Sequence, residues 1–382
     1  EGLGVQITRL AEGIRVQGVG LAGLRAPSHA LPCGESGTTM RLASGLLAGQ
    51  PFESELTAQG SLAQRPMRRV IEPLSKMGAV IAGRQVGADV HPPLRIQGRR
   101  PLRGIRYELS LASAQVKSAI LLAGLSADGP TTVVEPLATR DHTERLLRRL
   151  GVHIAREGAA ITMHPPAGPL SAVGRLTVPA DPSSAAFFLV AAALVTRSKV
   201  VLHQVGLNPS RTGFLKVLER MGASIRVEAS GDQWEPQGTL TAESSQLRGT
   251  VIPPEDVPSV IDELPILMVA AACAEGETRF EGLQELRVKE TDRLHSITTG
   301  LAKMGADLEM LGSDGVIIRG RSPLRGAEVD SFGDHRTAMS LAVAALVAAG
   351  PTVVRGAECV GKSLGNFFDL LAAVAKTAVK VR

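Results

Sequence analysis

The sequence is poor in aromatic residues and cysteine, and it has no long hydrophobic run. One Trp and one Tyr occur in 382 residues, which leaves few rings for stacking nucleic acid bases although the net charge is +5. Three cysteines without a CxxC pair argue against a disulfide framework and for a reducing compartment, by default the cytoplasm. The longest apolar run, Ala185 to Val195, is shorter than the roughly 20 residues of a membrane span.

Motifs for metal and nucleophilic chemistry are missing as well. The eight histidines are scattered, and neither HExxH nor GxSxG occurs, so zinc hydrolysis and Ser-His-Asp catalysis have no support. The net positive charge is then better explained by small anionic ligands than by nucleic acid or a membrane. We expect no metal, no nucleic acid partner and no membrane partner.

A repeated pattern, Leu-x-x-x-Gly followed by a short apolar run, divides the chain. Its glycines are Gly78, Gly151, Gly222 and Gly305, and Gly4 fits the same phase, with spacings of roughly 70 to 80 residues. Each copy predicts a helix that ends at the glycine, as its C′ residue, and a strand that follows. The helix that should precede Gly4 is absent, so we expect the first repeat to be truncated.

Six such repeats, three in each half, predict two similar domains, 1–176 and 177–382. The boundary follows a Pro- and Gly-rich stretch at 165–169 and precedes the helix cap expected at Asp181. The last helix is expected from Ser363 to about Lys376.

Polar or small residues open several apolar helices. The predicted helix starts lie at 34–41, 112–117, 181–186, 261–265 and 333–336. Buried helices must cap their first N–H groups, and we expect Asp181 and Ser183 to do only that. The glycines at 34–41 would also let backbone approach a ligand, and convergent helix starts would form a site for anions.

The stretch Arg287 to Arg293 is dense in charge. Read as a helix, it places Lys289 and Arg293 four residues apart on one face, where like charges repel by roughly 0.2–0.5 kcal/mol unless an anion lies between them. A second cluster, Asp334-His335-Arg336, precedes the predicted helical run Thr337 to Ala349, and a helix start favours negative charge. Both clusters indicate an anionic substrate.

Two generic nucleotide-binding patterns also occur. Residues 356–363 match the phosphate-loop pattern, with a strand expected at 352–354 and a helix from Leu364. Only 19 residues follow Ser363, so we expect no strand with a Mg²⁺-binding Asp, and ATP binding stays an alternative. Residues 18–23 match the dinucleotide-binding glycine pattern, but Pro27 follows where a helix would have to begin. This segment therefore predicts a turn.

In chain order, several motifs resemble those of the 5-enolpyruvylshikimate-3-phosphate (EPSP) synthase family, across nearly the whole sequence. They are Gly34 to Arg41, Gln64 to Met67, Ser113 to Ala119, Thr139 to Glu144, Ile261 to Pro265, Arg287 to Arg293, and Asp334 to Arg336. The resemblance implies a mixed α+β fold of two inside-out αβ barrel domains. Each would contain three βαβαββ repeats, and the substrates would close the cleft between the domains.

The resemblance also implies a reaction: transfer of the enolpyruvyl group of phosphoenolpyruvate (PEP) to the 5-hydroxyl of shikimate 3-phosphate. It would pass through a tetrahedral ketal and release phosphate, in a monomer without cofactor or metal. Asp262 would take the hydroxyl proton, while Lys289 and Glu290 would protonate PEP and relay the proton back. The implied PEP-binding residues are Gly37, Arg65, Gln115, Arg293, Arg336 and Lys362. The implied shikimate-3-phosphate-binding residues are Ser113, Ala114, Gln115, Thr139, Arg140, Asp262 and Lys289.

Departures from the family pattern bear on activity. The family's first motif, Lys-Ser-x-Ser-x-Arg, does not occur, so we expect weak or no turnover unless those residues lie upstream. Glu35 stands where the family usually has Asn, which adds a negative charge near PEP. Gly37 is typical of glyphosate-sensitive members, whereas Leu42 stands where many members have Pro.

Two further functions on the same fold stay open. A UDP-N-acetylglucosamine enolpyruvyl transferase usually carries a reactive Cys in a mobile loop, whereas Cys33 adjoins the glycine loop and is expected to be a buried small residue. A non-catalytic anion-binding module is the other alternative, and the motifs retained in the second half argue against it.

Overall fold

The chain forms two compact units. The computed structural model describes residues 1–230, 234–320 and 323–375, and its units are Glu1–Leu176 (unit 1) and Thr177–Arg382 (unit 2). These bounds equal those of the two predicted domains, whose assignment as enolpyruvyl transferase domains stays a prediction. Within the described ranges, no helix is long and apolar enough to cross a membrane.

Unit 1 combines sheets with partly or fully buried helices. Its strands are β1 (Gln6–Leu10), β2 (Gly13–Gln17), β3 (Leu31–Pro32), β4 (Glu53–Thr57), β5 (Val80–Val86), β6 (Asp89–Gln97), β7 (Arg106–Glu108), β8 (Thr131–Val134), β9 (Ile154–Glu157) and β10 (Ala160–Met163). Its helices are α1 (Gly37–Ala48), α2 (Arg68–Lys76), α3 (Ala114–Gly124) and α4 (His142–Arg149), with a 3-10 helix at Gly60–Gln64.

Unit 2 uses the same kinds of element. Its strands are β11 (Lys199–Gly206), β12 (Ser224–Ser230), β13 (Gln237–Glu243), β14 (Val251–Ile252), β15 (Glu277–Phe280), β16 (Asp307–Leu311), β17 (Gly315–Arg319), β18 (Glu328–Asp330) and β19 (Val353–Arg355). Its helices are α5 (Pro182–Leu194), α6 (Gly213–Arg220), α7 (Val257–Val260), α8 (Leu264–Ala272), α9 (Arg293–Lys303), α10 (His335–Ala345) and α11 (Phe367–Ala375), with 3-10 helices at Gln284–Val288 and Ala357–Lys362.

Three sheets share one topology, which defines the repeat. Their strand orders are β3-β4-β6-β5, β7-β8-β10-β9 and β14-β15-β17-β16. In each sheet the first two strands are parallel and the remaining neighbours are antiparallel. Because a helix follows each of the first two strands, the chain order is βαβαββ, which confirms the predicted repeat. The smaller sheets β11-β13-β12 and β18-β19 follow parts of the same plan.

Helices occupy the interior of unit 2 and sheets its outside. Helices α5, α8 and α10 contact one another, and every residue of α8 is buried. Strand β12, by contrast, is exposed along most of its length. A helix that is apolar on all sides belongs in a core, so these sequences dictate the inside-out arrangement. The predicted mixed fold of α-helices and β-strands is confirmed.

The repeat helices end in the predicted way. Gly78, Gly151, Gly222 and Gly305 have φ values between +85° and +105°. At the last of them, Gly305 donates its N–H to the Ala302 carbonyl (2.9 Å) and Ala306 donates to the Leu301 carbonyl (3.0 Å), which is a Schellman motif. The strands that follow begin one or two residues later than predicted, because the residue after the glycine belongs to this motif.

Four predicted helix starts carry a side-chain cap. Ser36, Ser113, Asp181 and Asp334 accept hydrogen bonds from the first-turn N–H groups of α1, α3, α5 and α10. The fifth start differs, because Glu263 precedes α8 without a side-chain cap bond. The expectation that Ser183 only caps α5 is wrong, because its hydroxyl donates to Glu263 and accepts from Nη2 of Arg211 (2.8 Å). Helix α11 begins at Phe367, later than predicted, and its predicted end at Lys376 lies outside the described residues.

We expect Gly305→Ala to lower the free energy of unfolding of unit 2 by about 1–2 kcal/mol, because alanine strains the left-handed backbone. Added volume is not the cause, since a Cβ there meets nothing within 4 Å. Urea unfolding followed by fluorescence of Trp234, the one tryptophan, measures the loss. As a control, Gly361→Ala adds its methyl in equally open space without a positive φ. Equal losses in both variants would contradict the C′ role.

Candidate active site

The start of α1 brings two guanidinium groups to one glycine in unit 1. Gly37 is the first residue of the helix and is buried, with Ser36 capping it by accepting from the Thr39 N–H (3.1 Å). A Cβ on Gly37 would lie 2.7 Å from Nη1 of Arg41 and 3.2 Å from Nη1 of Arg65. Both cations therefore lie against the positive end of a helix, which is an arrangement suited to an anion.

Gln115 connects this start to the start of α3. Its Oε1 accepts from Nη1 of Arg41 (2.8 Å) and its Nε2 donates to Oγ1 of Thr38 (2.8 Å). Nη1 of Arg41 also approaches the Gly37 carbonyl (3.4 Å). Arg41 therefore joins the start of α1 to the start of α3.

Glu35 lies on the other side of the same loop. A Cβ on Gly60 would lie 2.6 Å from its carboxyl carbon, so the carboxyl group abuts the first residue of the 3-10 helix Gly60–Gln64. Cys33 beside the loop is buried, as predicted.

The start of α3 and the segment after β8 hold the predicted shikimate-3-phosphate residues of unit 1. Ser113 caps α3 by accepting from the Val116 N–H (3.4 Å), and Ala114 is the first helical residue. Thr139 is buried, and both its N–H (3.2 Å) and its hydroxyl donate to Oε1 of Glu135. The Thr139 hydroxyl thus holds the segment that carries Arg140.

Sequence reasoning missed a buried cation in the same region. Lys117, one turn into α3, has a fully buried side chain, and its Nζ lies 3.0 Å from Oε1 of Glu135 and 2.7 Å from Oε1 of Glu144. The available signal was a lysine among the apolar residues of a buried helix, since charged residues are almost never fully buried unless paired. Its partners lie too far along the sequence to be recognised locally.

In unit 2, the stretch Arg287 to Arg293 is not the single helix that was predicted. A 3-10 helix ends at Val288, and α9 begins only at Arg293. Asp292 causes the break, because it caps α9 by accepting from the His295 N–H (2.9 Å) and pairs with Nη1 of Arg287 (2.6 Å). Lys289 and Arg293 are therefore not helical neighbours, and the predicted repulsion on one helix face does not apply.

Arg293 is instead the centre of a carboxylate cluster. Its side chain is 1% exposed, Nε donates to Oδ2 of Asp334 (2.9 Å), Nη1 lies 3.4 Å from Oδ1 of Asp262, and Nη2 donates to Glu290. Burial opposes the charge, but Asp334, Glu290 and Asp262 outweigh it and raise the pKa of Arg293 above its ordinary value.

A second guanidinium faces Asp262. Arg336 donates from Nη1 to the Asp262 carbonyl (3.2 Å), and its Nε lies 3.6 Å from Oδ1. Asp334, fully buried, caps α10 by accepting from the N–H groups of Arg336 (2.8 Å) and Thr337 (3.2 Å). The structure therefore brings together Asp262, Glu290, Arg293 and Arg336, and Asp334 of the second charged cluster belongs to the same group.

Lys289 carries the chemically informative pKa shift. Burial lowers the pKa of its ammonium, the charge of Arg293 lowers it further, and Asp262 opposes the shift without cancelling it. A lysine with a lowered pKa exchanges protons more readily near neutral pH than an exposed one. Together with the neighbouring carboxylates, it forms a site capable of acid–base chemistry.

The match to the phosphate-loop pattern is not a phosphate loop. Residues Ala357–Lys362 form a 3-10 helix with Cys359 and Val360 buried, and α11 starts only at Phe367. The ATP-binding alternative is therefore wrong. Lys362 is exposed at the end of that 3-10 helix. Among the described residues, no group of three or more His, Cys, Asp and Glu side chains is placed to hold a metal ion.

We expect Lys289→Met to raise the free energy of unfolding of unit 2 at neutral pH, because the lowered pKa means that the partly buried ammonium is less favourable in the folded state than in the unfolded chain. The gain should shrink as the pH rises from the lowered folded-state pKa to the unfolded value, since the folded state releases a proton that the unfolded chain keeps. Urea unfolding between about pH 6 and pH 10, followed by Trp234 fluorescence, measures this. Lys216→Met, which replaces an exposed lysine, is the control. A gain independent of pH would contradict the shift.

Known proteins resemble this chain over nearly its whole length. The family profile of EPSP synthase (3-phosphoshikimate 1-carboxyvinyltransferase) matches residues 1–371. The 3-phosphoshikimate 1-carboxyvinyltransferase of Syntrophomonas wolfei is 49% identical over 371 residues, which cover 97% of this chain and 85% of that protein. The enzyme of the same name from Methylococcus capsulatus is 50% identical over 370 residues, covering 96% and 83%.

A solved structure agrees with these relatives. EPSP synthase from Acinetobacter baumannii matches with a TM-score of 0.85 at 45% sequence identity, covering 98% of this chain and 85% of that one. Identity near one half, sustained together with a common fold, shows that the chain belongs to the EPSP synthase family of enzymes.

Proposed function

We propose that the chain transfers the enolpyruvyl group of PEP to the 5-hydroxyl of shikimate 3-phosphate and releases phosphate. The observation that carries this is the match to 3-phosphoshikimate 1-carboxyvinyltransferases over 97% of the chain. The cluster around Lys289 and Asp262 supports it, because it supplies the acid–base groups that the reaction needs.

In the proposed mechanism, the 5-hydroxyl oxygen bonds to C2 of PEP while the hydroxyl loses its proton and the PEP methylene gains one. The resulting tetrahedral ketal then breaks its bond from C2 to the phosphate oxygen, and a proton leaves the new methyl group. One base, one acid and several cations suffice for both steps. No cofactor or metal takes part.

Residues of unit 2 would move the protons. Asp262 would accept the hydroxyl proton, held by the guanidinium groups of Arg293 and Arg336. Lys289 would protonate the methylene carbon, and Glu290, which accepts from Arg293, would relay the proton back. Arg293, Arg336 and Lys362 would bind the carboxylate and phosphate of PEP, since guanidinium forks suit both groups.

Residues of unit 1 would bind the anionic groups of both substrates. Gly37, Arg65 and Gln115 would contact PEP at the start of α1. Shikimate 3-phosphate would be received by Ser113, the Ala114 backbone, Gln115 and Arg140, with Thr139 positioning Arg140, and by Asp262 and Lys289 of unit 2. We further propose a cytoplasmic monomer that acts on these small molecules only.

Phosphate release from PEP tests the proposal, with shikimate 3-phosphate and UDP-N-acetylglucosamine as rival acceptors. It is measured on this chain and on a longer form that carries a Lys-Ser-x-Ser-x-Arg segment ahead of Glu1. We expect phosphate release when shikimate 3-phosphate is the acceptor and none when UDP-N-acetylglucosamine is the acceptor. The names of the relatives do not favour UDP-N-acetylglucosamine, and release with that acceptor would overturn the assignment. Release with neither acceptor from the longer form would leave an anion-binding module.

We expect Lys289→Ala to lower kcat by about 10²- to 10⁴-fold, the usual contribution of a general acid or base. The alkaline limb of the kcat profile of the unaltered protein should fall below the ordinary lysine pKa, because burial lowers the pKa of Lys289. Steady-state phosphate release measures both, and Lys216→Ala serves as the exposed-lysine control. Unchanged turnover by Lys289→Ala would remove the central assignment.

We expect Gly37→Ala to raise the KM for PEP about tenfold, equivalent to about 1.4 kcal/mol, with a smaller effect on kcat. Its methyl would displace the guanidinium groups of Arg41 and Arg65, whose Nη1 atoms lie 2.7 Å and 3.2 Å from the Cβ position. Gly129→Ala, also in unit 1 but with nothing within 4 Å of its Cβ, is the matched control. A KM for PEP that does not change would show that Gly37 and Arg65 do not contact PEP.

A further inference from the structure

The buried cation of unit 1, Lys117, joins two segments that the proposed function assigns to one substrate. It lies one turn after Ser113 in α3, and its side chain is 0% exposed. Besides Glu135 and Glu144, its Nζ approaches the carbonyl oxygen of Thr139 (3.5 Å). The ammonium thus connects the start of α3 to the residue immediately before Arg140.

Glu135 fixes the same segment from its other end. Its Oε1 forms an ion pair with the Lys117 ammonium and accepts hydrogen bonds from the N–H and the hydroxyl of Thr139. Its Oε2 lies 3.4 Å from Nη1 of Arg156. The turn between the end of β8 and Thr139 is therefore closed by one carboxylate. Such a closed turn leaves Thr139 little freedom to move.

The residues after Arg140 are held too. Glu144, in the first turn of α4, pairs with Lys117, and Oγ of Ser118 hydrogen-bonds Oγ1 of Thr143 (2.7 Å). Arg140 therefore lies between two anchored segments, and both are anchored to the first two turns of α3. The geometry of Ser113 relative to Arg140 depends on this one network.

Stability alone is a poor reason for such a network. Removing charges from water is costly, and a well-packed apolar side chain of similar size often replaces a buried ion pair without loss. A function in which distance matters is a better reason, because a phosphate needs a hydroxyl, backbone N–H groups and a guanidinium at fixed separations.

We propose that Lys117 is a positioning residue for shikimate 3-phosphate, holding Arg140 at the start of α3 so that both contact the phosphate group. The inference rests on the proposed function and deepens it. Lys117 itself would not contact the substrate.

The test separates positioning from stability by a charge-matched replacement. Lys117→Met alone leaves Glu144 buried without its cation and is expected to lower the melting temperature. Lys117→Met combined with Glu144→Gln removes one positive and one negative charge and leaves Glu135 paired with Arg156. The double variant should melt near the unaltered protein. Lys76→Met with Glu72→Gln, an exposed pair in α2, is the matched control.

Calorimetric titration with shikimate 3-phosphate and with shikimate is the readout. We expect the double variant to bind shikimate 3-phosphate at least tenfold more weakly and to bind shikimate with unchanged affinity. When the same two substitutions are made in the Arg140→Met protein, they should lower its affinity for shikimate 3-phosphate little further. Unchanged affinity for shikimate 3-phosphate would overturn the inference, and equal losses for both ligands would reduce Lys117 to a structural role. Failure of the unaltered longer form to bind shikimate 3-phosphate would refute the proposed function itself.

Discussion

The structure depends on burying helices that are apolar on nearly every side. A buried helix must satisfy its first N–H groups without water, and here Ser36, Ser113, Asp181 and Asp334 accept those bonds. Each core helix therefore brings a polar side chain to its start, where the helix dipole is positive. Gly37, Ser113, Ala114, Gln115 and Arg336, all proposed to bind substrate, lie at three of these starts. There, the requirement that stabilises the core also supplies part of the chemistry of the site.

Most of the fold could be predicted because its signals are local. The Leu-x-x-x-Gly pattern and the residue after it contain a whole helix terminus, because the N–H of that residue donates to the carbonyl of the leucine. Capping residues work over three or four positions in the same way. These features repeat along the chain, and the repeated βαβαββ unit could be predicted from them.

The prediction failed where a local pattern had two interpretations. Arg287 to Arg293 has the composition of a charged helix face, but Asp292 is also a strong helix cap, and capping prevails because Arg287 holds its carboxylate. Glu135 and Glu144 could not be linked to Lys117 from sequence, because only the packing of α3 against β8 and α4 brings them together. The residues around Arg293 could be recognised from their motifs in the sequence. The ion pairs between them could be seen only in the folded structure.

Arg293 and Lys117 show how buried cations constrain their surroundings. Each lies in the first turns of a helix, where the dipole disfavours positive charge, so each requires carboxylates from other elements. Arg293 recruits Asp262, Glu290 and Asp334, and an anionic substrate that reaches it must compete with those carboxylates. Competition of this kind links binding to proton transfer, because protonation of Asp262 or Glu290 weakens its hold on the guanidinium. Lys117 is enclosed by Glu135 and Glu144 with no exposed surface, so its charge can act only through the segments that it holds together.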